Sequence, residues 1–341
     1  MDFYNLNFYI IFFIFINLLL YAFFESAKKI INIFDVPDKI RKFHIKPVSK
    51  IGGFILYINI LLSVMLTILF TNSYNYLNIS HNYQSLTIFL IIPTFIFIIG
   101  VYDDKFNISA NKKLFLLSVL ILFALIIDDN FVISNLNFYT FNQSIDISFV
   151  SFFFTTLCVL LFINAINMFD GINLQAGILS LMISVYFSLS GIFVFLFIPI
   201  TIGLIIFLIL NYQNKTFLGD SGTILLGYII SISFISAYNN YLIFYAEFIF
   251  LFMSIPGLDL FRLTIHRLIL KKHPFSGDRN HIHHLLLNKF SFQKTILIIF
   301  SIIIIPFIIL IFGHSLTISV SISIFLYTSI ISYLFFTKSN K

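Results

Sequence analysis

The chain has few charged residues and a single cysteine. Charged residues make up 10% of its 341 positions and hydrophobic residues 60%, whereas a soluble globular domain has roughly 25% charged residues. This composition excludes an ordinary soluble domain and makes the lipid bilayer the solvent of the protein. The lone Cys158 excludes an intrachain disulfide. The sequence also lacks a fixed-period repeat, a low-complexity linker and a separate soluble domain.

Apolar runs recur along the whole chain. A helical span of the hydrocarbon core needs about 20 residues. Nine runs are close to that length or longer, at 8–24, 51–71, 85–101, 147–169, 192–210, 222–238, 241–261, 295–312 and 316–336. Two shorter runs, at 114–127 and 174–189, complete a set of eleven. Because their apolar character is continuous, unlike that of barrel strands, we predict an all-α polytopic integral membrane protein with about eleven transmembrane helices.

Every second connection between these runs lacks lysine and arginine. All 20 basic residues lie in the other connections or at the C-terminus, as in cytoplasmic loops, where such an excess resists translocation. Eleven spans then place the N-terminus outside and the C-terminus in the cytoplasm. We expect the first run to be retained, because Met1–Asn7 lacks the basic n-region of a secretory signal. The single domain, 1–341, has its predicted cytoplasmic active-site loops at about 25–50, 102–113, 170–173, 211–221 and 262–294.

The first cytoplasmic loop is rich in hydrogen-bond donors. It contains Lys42 and His44 and leads to the pair Gly52-Gly53 at the next span. Such donors suit an anion, and paired glycines permit close backbone approach to a phosphate. The alternative is a set of juxtamembrane cations that only fix the topology and contact acidic headgroups.

Two adjacent carboxylates follow the third long run. Asp103 and Asp104 lie where desolvation is costly, so they need a cationic partner, a metal or a raised pKa. One of them is a candidate base or metal ligand, and a solvated helix end is the alternative. The same dipeptide at Asp128-Asp129 lies on the predicted outer face with no motif around it, so it serves as an internal comparison.

Three polar residues close a later span with a spacing of three: Asn164, Asn167 and Asp170. On a helix they fall near one face, and amides with a carboxylate are costly at a membrane exit unless they bind something. Oxygen ligands of this kind suit Mg²⁺. A polar contact between helices is the alternative.

Two further motifs lie in the later cytoplasmic loops. Asp220 stands in a Gly-Asp-Ser-Gly sequence just before an apolar run. A carboxylate beside the free N–H groups of a helix start suits a metal–phosphate complex, although an ordinary N-cap explains the same sequence.

The last cytoplasmic loop has four basic or imidazole side chains within six residues: Arg279, His281, His283 and His284. Because no cysteine or carboxylate triad is nearby, phosphate or sugar recognition is favoured over zinc.

Together and in this order, the five segments resemble the polyprenyl-phosphate N-acetylhexosamine-1-phosphate transferase family, glycosyl transferase family 4, and its WecA-like more than its MraY-like members. The ordered set is Asp-x-Pro…Arg-Lys-x-His, Asp-Asp, Asn-x-x-Asn-x-x-Asp-Gly, Gly-Asp-x-Gly and His-x-His-His, over about residues 35–285. The resemblance implies a multi-span helical fold in the bacterial inner (cytoplasmic) membrane with a cytoplasmic active site.

The implied reaction moves a sugar-1-phosphate from a UDP-amino sugar to undecaprenyl phosphate and releases UMP. This is a first membrane step of cell-envelope glycan synthesis, such as that of lipopolysaccharide O-antigen or another polysaccharide. UDP-N-acetylglucosamine is the default donor. The implied partners are these two substrates and the lipid bilayer, with no nucleic acid, and a homodimer is left open.

The resemblance also assigns roles to residues. Asp220 is the implied chief ligand of Mg²⁺ and Asn167 a second ligand, with Mn²⁺ as the alternative ion. Asp103, Asp104 and Asp170 are the implied catalytic carboxylates, and Asp103 would deprotonate or position the lipid phosphate. The implied substrate-binding residues are Lys42, Asn164, Asn173, Arg279, His281, His283 and His284.

Other interpretations remain open from sequence. Where many relatives have Asp-Gly-x-Asp-Gly, this chain has an amide at Asn173, so a modified 6-deoxy amino sugar or phospho-MurNAc-pentapeptide is an alternative donor group. A multi-span transporter is the rival from another class, although the predicted spans have almost no charge at their centres. A metal-dependent lipid pyrophosphatase would lack a nucleotide pocket. Direct attack by the lipid phosphate is favoured over a covalent relay.

Overall fold

The computed structural model describes residues 3–37, 46–69, 83–272 and 279–339. The described part is mostly helical. Its helices are α1 (Phe3–Ala22), α2 (Phe24–Ile31), α3 (Gly52–Leu69), α4 (Tyr83–Phe106), α5 (Ala110–Ile127), α6 (Ser151–Phe169), α7 (Gln175–Leu189), α8 (Val194–Tyr212), α9 (Gly219–Asn239), α10 (Ala246–Ile269), α11 (Ile282–Leu287), α12 (Phe292–Ile311) and α13 (Leu316–Ser339). A helix lies at each of the eleven predicted apolar segments.

Seven of these helices are long and apolar enough to cross a membrane. Within the described residues they are α5, α6, α8, α9, α10, α12 and α13. The pair α1 and α2 meets the same test only when taken together, and it is bent by 64°. Helix α7 and the described part of α3 are apolar but shorter. The chain is therefore a multi-pass membrane protein.

Several helices extend into segments that the sequence predicts as loops. Helix α4 continues to Phe106 and α5 begins at Ala110, so only three residues separate them within the predicted loop 102–113. Helix α10 continues to Ile269, beyond the predicted end at 261, and α11 lies inside the predicted loop 262–294. The helices are longer than predicted because polar side chains in their last turns are buried against other polar groups. A polar residue in the sequence therefore does not indicate where the helix ends.

Short antiparallel strand pairs are an addition to the predicted all-α fold. Strand β1 (Phe34–Asp35) pairs with β2 (Val48–Ser49), and β3 (Asn135–Phe138) pairs with β4 (Gln143–Asp146). Strand β2 also binds the segment before α9, because the Ser49 carbonyl accepts from Phe217 N–H at 2.8 Å. This hydrogen bond places the end of the first cytoplasmic loop next to the start of α9.

Helix α9 forms the centre of the bundle. Every residue from Ser221 to Tyr238 is buried, and the helix packs against α3, α4 and α6. Glycines permit this close approach: a Cβ placed on Gly100 of α4 would overlap Ser221 Cα, and one on Gly53 of α3 would lie 2.6 Å from Gly222 N. Small residues of this kind let membrane helices pack backbone to backbone. The same contacts bring the ends of α3 and α4 next to Asp220.

Gly100→Ala should lower thermal stability. Its new methyl group would meet backbone atoms of α9, which cannot swing aside as a side-chain tip would. Overpacking of this kind costs about 1–3 kcal/mol, and we expect a lower melting temperature of the detergent-solubilised protein. Gly257→Ala on α10 is the matched control, because no described atom lies within 4 Å of the position that its added methyl group would take. Equal melting temperatures for the two variants would contradict the close α4–α9 contact.

Candidate active site

A cavity of about 780 Å³ opens at the end of the bundle where α9 begins. Four of the five predicted loops line it, and the remaining loop contacts its wall at Asp220 through Asp104 and Lys113. The polar lining residues are Asp35, Lys50, Asn167, Asp170, Asn173, Asn211, Tyr212, Asn214, Asp220, Thr223 and His284. The structure thus brings segments that are far apart in sequence to one site, on the face that the charge pattern predicts as cytoplasmic.

Asp220 lies in the first turn of α9 and is part of the cavity wall. Its Oδ1 accepts hydrogen bonds from Asn167 Nδ2 at 2.7 Å and from Lys113 Nζ at 2.8 Å. The Asp220 side chain is 27% exposed, against 6% for Asp103 and 1% for Asp104. Of these three carboxylates, Asp220 is therefore the one most open to a ligand.

Lys113 joins two of the predicted functional carboxylates. Its ammonium group lies 2.7 Å from Asp103 Oδ2 and 2.8 Å from Asp220 Oδ1. The other oxygen of Asp103 accepts from Ile108 N–H at 2.8 Å. Lys113 is not among the residues predicted from sequence, because a lysine in a loop between membrane spans primarily indicates topology. Its place ten residues after Asp103, across a short turn, was the available clue.

Asp104 has a different task from its neighbour. Its Oδ1 accepts from Asp220 N–H and its Oδ2 from Ser221 N–H, both at 2.9 Å. The first N–H groups of a helix have no intrahelical partner, so Asp104 on α4 caps α9 from outside that helix. Both oxygens are engaged, which leaves Asp104 placed to hold Asp220 in position.

Lys50 neutralises this buried cap. Its Nζ lies 3.2 Å from Asp104 Oδ1 and 3.6 Å from Asp35 Oδ1. Burial opposes the charge on Lys50, but the carboxylates of Asp104 and Asp35 outweigh it and raise the lysine pKa. Lys50 therefore stays a cation in the cavity wall, where a phosphate would meet it.

The third predicted segment forms another side of the cavity. Asp170 ends α6, and desolvation, aided by the negative charges of Asp220 and Asp104, raises its pKa to about 7. Asn173 donates through Nδ2 to the Asn211 carbonyl at 3.0 Å and to Asn214 Oδ1 at 2.6 Å. These bonds fix the loop that joins α6 and α7 against the end of α8.

Asn164 does not take part in the cavity. Among the described residues, its Nδ2 donates to the Leu160 carbonyl at 2.7 Å within the same helix, and it is absent from the cavity wall. The reason is depth: a spacing of three keeps Asn164 near the face of Asn167, but one helical turn further from the end of α6. Its predicted role in substrate binding remains a prediction that this geometry does not support.

The histidine segment approaches the cavity unevenly. His284 lines the cavity, whereas Arg279, His281 and His283 do not, within the part of the chain that the structure describes. His283 is buried against Gly171, and a Cβ on that glycine would meet the His283 ring. Burial, together with the imidazoles of His284 and His281, lowers the pKa of His283 well below its usual range. His283 is therefore a neutral packing partner of the loop that follows Asp170. Lys42, also predicted to bind substrate, lies outside the described residues.

The oxygen-bearing side chains of the cavity fit an Mg²⁺ ion that is shared with the substrate better than a metal ion that is bound by protein ligands alone. Asp220, Asp170 and Asn167 present oxygen-bearing side chains to one cavity. Mg²⁺ typically takes one or two carboxylates and completes its shell with water and substrate phosphates. Within the described residues, no cluster of three or more His, Cys, Asp or Glu side chains forms a self-sufficient metal site. Asp220 is the first candidate ligand, with Asp170 and Asn167 beside it.

The family model described as "Glycosyl transferase family 4" matches residues 86–238. This range holds Asn167, Asp170 and Asp220, which line the cavity, and Asp103 and Lys113, which are joined to Asp220 through the Lys113 ammonium group. The resemblance to glycosyl transferase family 4 is confirmed. The family match ends before the histidine segment, so that part of the site rests on the geometry.

Curated relatives agree with the family match. The chain is 27% identical over 271 residues to the "Probable undecaprenyl-phosphate N-acetylglucosaminyl 1-phosphate transferase" of Bacillus subtilis (strain 168), covering 76% of this chain and 72% of the relative. It is 28% identical over 281 residues to the "Undecaprenyl-phosphate alpha-N-acetylglucosaminyl 1-phosphate transferase" of Thermotoga maritima, covering 78% and 77%. The protein of that same name from Escherichia coli (strain K12) is 26% identical over 295 residues, covering 81% and 74%.

Asp104→Asn should destabilise the start of α9. The amide retains one acceptor oxygen, so one of the two α9 N–H groups loses its partner, and Lys50 loses its buried counter-charge. An unsatisfied buried polar group costs about 1–3 kcal/mol. We expect a lower melting temperature than for Asp129→Asn, a control at the exposed member of the outer dipeptide. An Asp104→Asn melting temperature equal to that of the wild type would show that the cap is dispensable.

Asp170 should make the stability of the metal-free protein depend on pH. Its folded pKa of about 7 lies above the roughly 3.9 of an unfolded aspartate, so the folded state holds this proton more tightly. The associated stability is present at low pH and is lost as the pH rises through 7. Melting temperatures in EDTA should therefore fall between about pH 5 and 8 more in the wild type than in Asp170→Asn. Parallel pH curves for the two proteins would contradict the raised pKa.

Proposed function

We propose that this protein transfers N-acetylglucosamine-1-phosphate from UDP-N-acetylglucosamine to undecaprenyl phosphate and releases UMP. An oxygen of the lipid phosphate attacks the β-phosphorus of the nucleotide sugar, and the bond from that phosphorus to the bridging oxygen breaks. UMP leaves with the bridging oxygen, and the sugar remains linked to the lipid through a pyrophosphate. The observation that carries the proposal is the cavity in which Asp220 lies close to the cations Lys113 and Lys50.

This charge pattern suits a reaction between two anionic substrates. Lysines reduce repulsion between the lipid phosphate and the diphosphate, and Asp220, with Asn167, would hold Mg²⁺ or Mn²⁺. Such an ion, when bound, neutralises the charge that develops on the phosphate oxygens. By resemblance, Asp103 would position or deprotonate the lipid phosphate. Its Oδ2 is bound by Lys113, which also contacts Asp220, and among the described residues Asp103 itself does not line the cavity.

The other cavity walls suit the nucleotide and the sugar. Asn173 and Asn214 supply amides to the cavity wall for the uracil, and His284 supplies an imidazole for sugar or phosphate oxygens. In the metal-free protein the pKa of Asp170 is about 7, so this group can exchange a proton near neutral pH before an ion binds. Direct attack by the lipid phosphate needs no covalent intermediate on the protein, in keeping with the engagement of both Asp104 oxygens by the α9 backbone.

A membrane arrangement belongs to the same proposal. Eleven spans would place the N-terminus outside, and the C-terminus and the cavity at the cytoplasmic face of the bacterial inner membrane. The basic loops are the support for this orientation, because all 20 Lys and Arg lie on that side or at the C-terminus. Both substrates are reachable there, since the lipid phosphate lies at the bilayer surface and nucleotide sugars are soluble. A single domain, 1–341, carries the whole site, either as a monomer or as a homodimer.

UMP release from the purified protein tests the function. The protein in detergent is incubated with Mg²⁺, undecaprenyl phosphate and, in separate reactions, UDP-N-acetylglucosamine, a UDP-6-deoxy amino sugar and UDP-MurNAc-pentapeptide. We expect UMP and lipid-linked sugar with UDP-N-acetylglucosamine, abolished by EDTA and lowered at least about 100-fold in Asp220→Asn, because the main site for charge neutralisation is lost.

Asp129→Asn, at the opposite end of the helical bundle, is the matched control and should retain full activity. Product with one of the other donors would keep the reaction and change the sugar. Folded protein that releases no UMP with any donor would contradict the proposal, and release of phosphate from a lipid pyrophosphate without any nucleotide would point to hydrolysis.

A further inference from the structure

A second buried carboxylate organises the histidine segment behind the cavity. Asp259 lies in α10, outside the motifs predicted from sequence, and its side chain is only 4% exposed. Its Oδ1 accepts from Arg262 at 2.8 Å and from Tyr327 Oη at 2.9 Å, and its Oδ2 lies 3.0 Å from His281 Nδ1. The backbone N–H of Ile282 lies 3.3 Å from both oxygens. One carboxylate therefore joins α10, α13 and the start of α11.

This network determines that the Nδ1 atom of His281 carries a proton. Arg262 supplies a permanent positive charge beside Asp259 and also donates through Nε to Tyr327 at 2.9 Å. An ionised carboxylate can only accept hydrogen bonds, so His281 must donate through Nδ1. This hydrogen bond sets the orientation of the His281 ring. The ring stacks on that of His283, with 5.4 Å between the ring centroids and an interplanar angle of 9°.

The same carboxylate fixes where α11 begins. Ile282 is the first residue of α11, and its N–H would have no helical partner without Asp259. Two residues further along α11 stands His284, the histidine that lines the cavity. The Arg262 guanidinium holds the segment before α11 as well, because it donates to the Asn280 carbonyl at 2.6 Å. The position of His284 is therefore determined by contacts that lie outside the cavity.

We propose that Asp259 is a positioning residue for the transfer reaction, which acts by holding His281 and the start of α11 so that His284 faces the bound UDP-sugar. Arg262 and Tyr327 support it. The inference rests on the proposed function, since it assigns Asp259 to the same site. Asp259 touches neither the cavity nor the reacting atoms among the described residues. The role parallels that of Asp104, which holds the start of α9 and with it Asp220.

Steady-state kinetics of four variants test this role: Asp259→Asn, His284→Ala, the double variant and Asp128→Asn. Asp128→Asn is the matched control, because Asp128 is also buried and caps a helical turn through Asn130 N–H, at the outer end of the bundle. We expect Asp259→Asn to lower kcat/KM for UDP-N-acetylglucosamine on the order of 10- to 100-fold and to raise its KM. The KM for undecaprenyl phosphate and the control should stay at wild-type values.

The double variant separates positioning from general destabilisation. If Asp259 acts through His284, the loss in the double variant is smaller than the product of the two single losses. Losses that multiply, or a lower maximal rate with both KM values unchanged, would overturn the inference, because partial unfolding only reduces the amount of active protein. Wild-type kinetics in Asp259→Asn would overturn it as well.

Tyr327→Phe provides the same test with a milder change. It removes one donor to Asp259 and leaves the charge in place, so it serves if Asp259→Asn does not fold. We expect a several-fold rise in the KM for the UDP-sugar, again less than multiplicative with His284→Ala, and fully multiplicative losses would overturn the inference. Failure of the proposed function is recognised separately, because the wild-type protein would then form no lipid-linked sugar.

Discussion

Helix starts that are buried in a membrane protein need acceptors for their first N–H groups, and this requirement shapes the whole site. No water is available in the bilayer to satisfy such groups. Helix α9 is buried from Ser221 to Tyr238, and Asp104 of α4 accepts from the N–H groups of Asp220 and Ser221 at its start. These hydrogen bonds fix Asp220 in the cavity wall. The Asp220 side chain remains open to a ligand, because the carboxylate of Asp104 accepts the hydrogen bonds of the α9 backbone.

Close packing and charge pairing follow from this arrangement. Glycines on α3 and α4 allow both helices to touch the backbone of α9, which brings Lys50 and Asp104 within 3.2 Å. A buried ionised carboxylate without a partner would be strongly unfavourable, so the lysines are part of the structure as well as of the proposed chemistry. The cavity consequently combines negative groups that can bind a metal with fixed cations that can bind phosphate.

The sequence predicts much of this fold and less of the site. Continuous apolar runs identify the long helices because lipid exposure demands them along their full length. Motifs at Asp103, Asp170, Asp220 and His284 predict the segments that meet around the cavity. The sequence does not reveal that Asp104 is a cap, since adjacent aspartates look alike until their partners are known. Asp259 and Lys113 were missed because their partners lie on helices distant in sequence or across a turn. The observed helix ends differ from the predicted ones where buried polar contacts extend a helix into a predicted loop.

An experimental structure with UDP-N-acetylglucosamine and Mg²⁺ tests the central claim most directly, namely that one cavity built around Asp220 receives the nucleotide sugar. We predict the diphosphate and the ion at Asp220, the uracil on the side of Asn173 and the sugar on the side of His284. A nucleotide bound elsewhere, or an ion that does not contact Asp220, would contradict this claim.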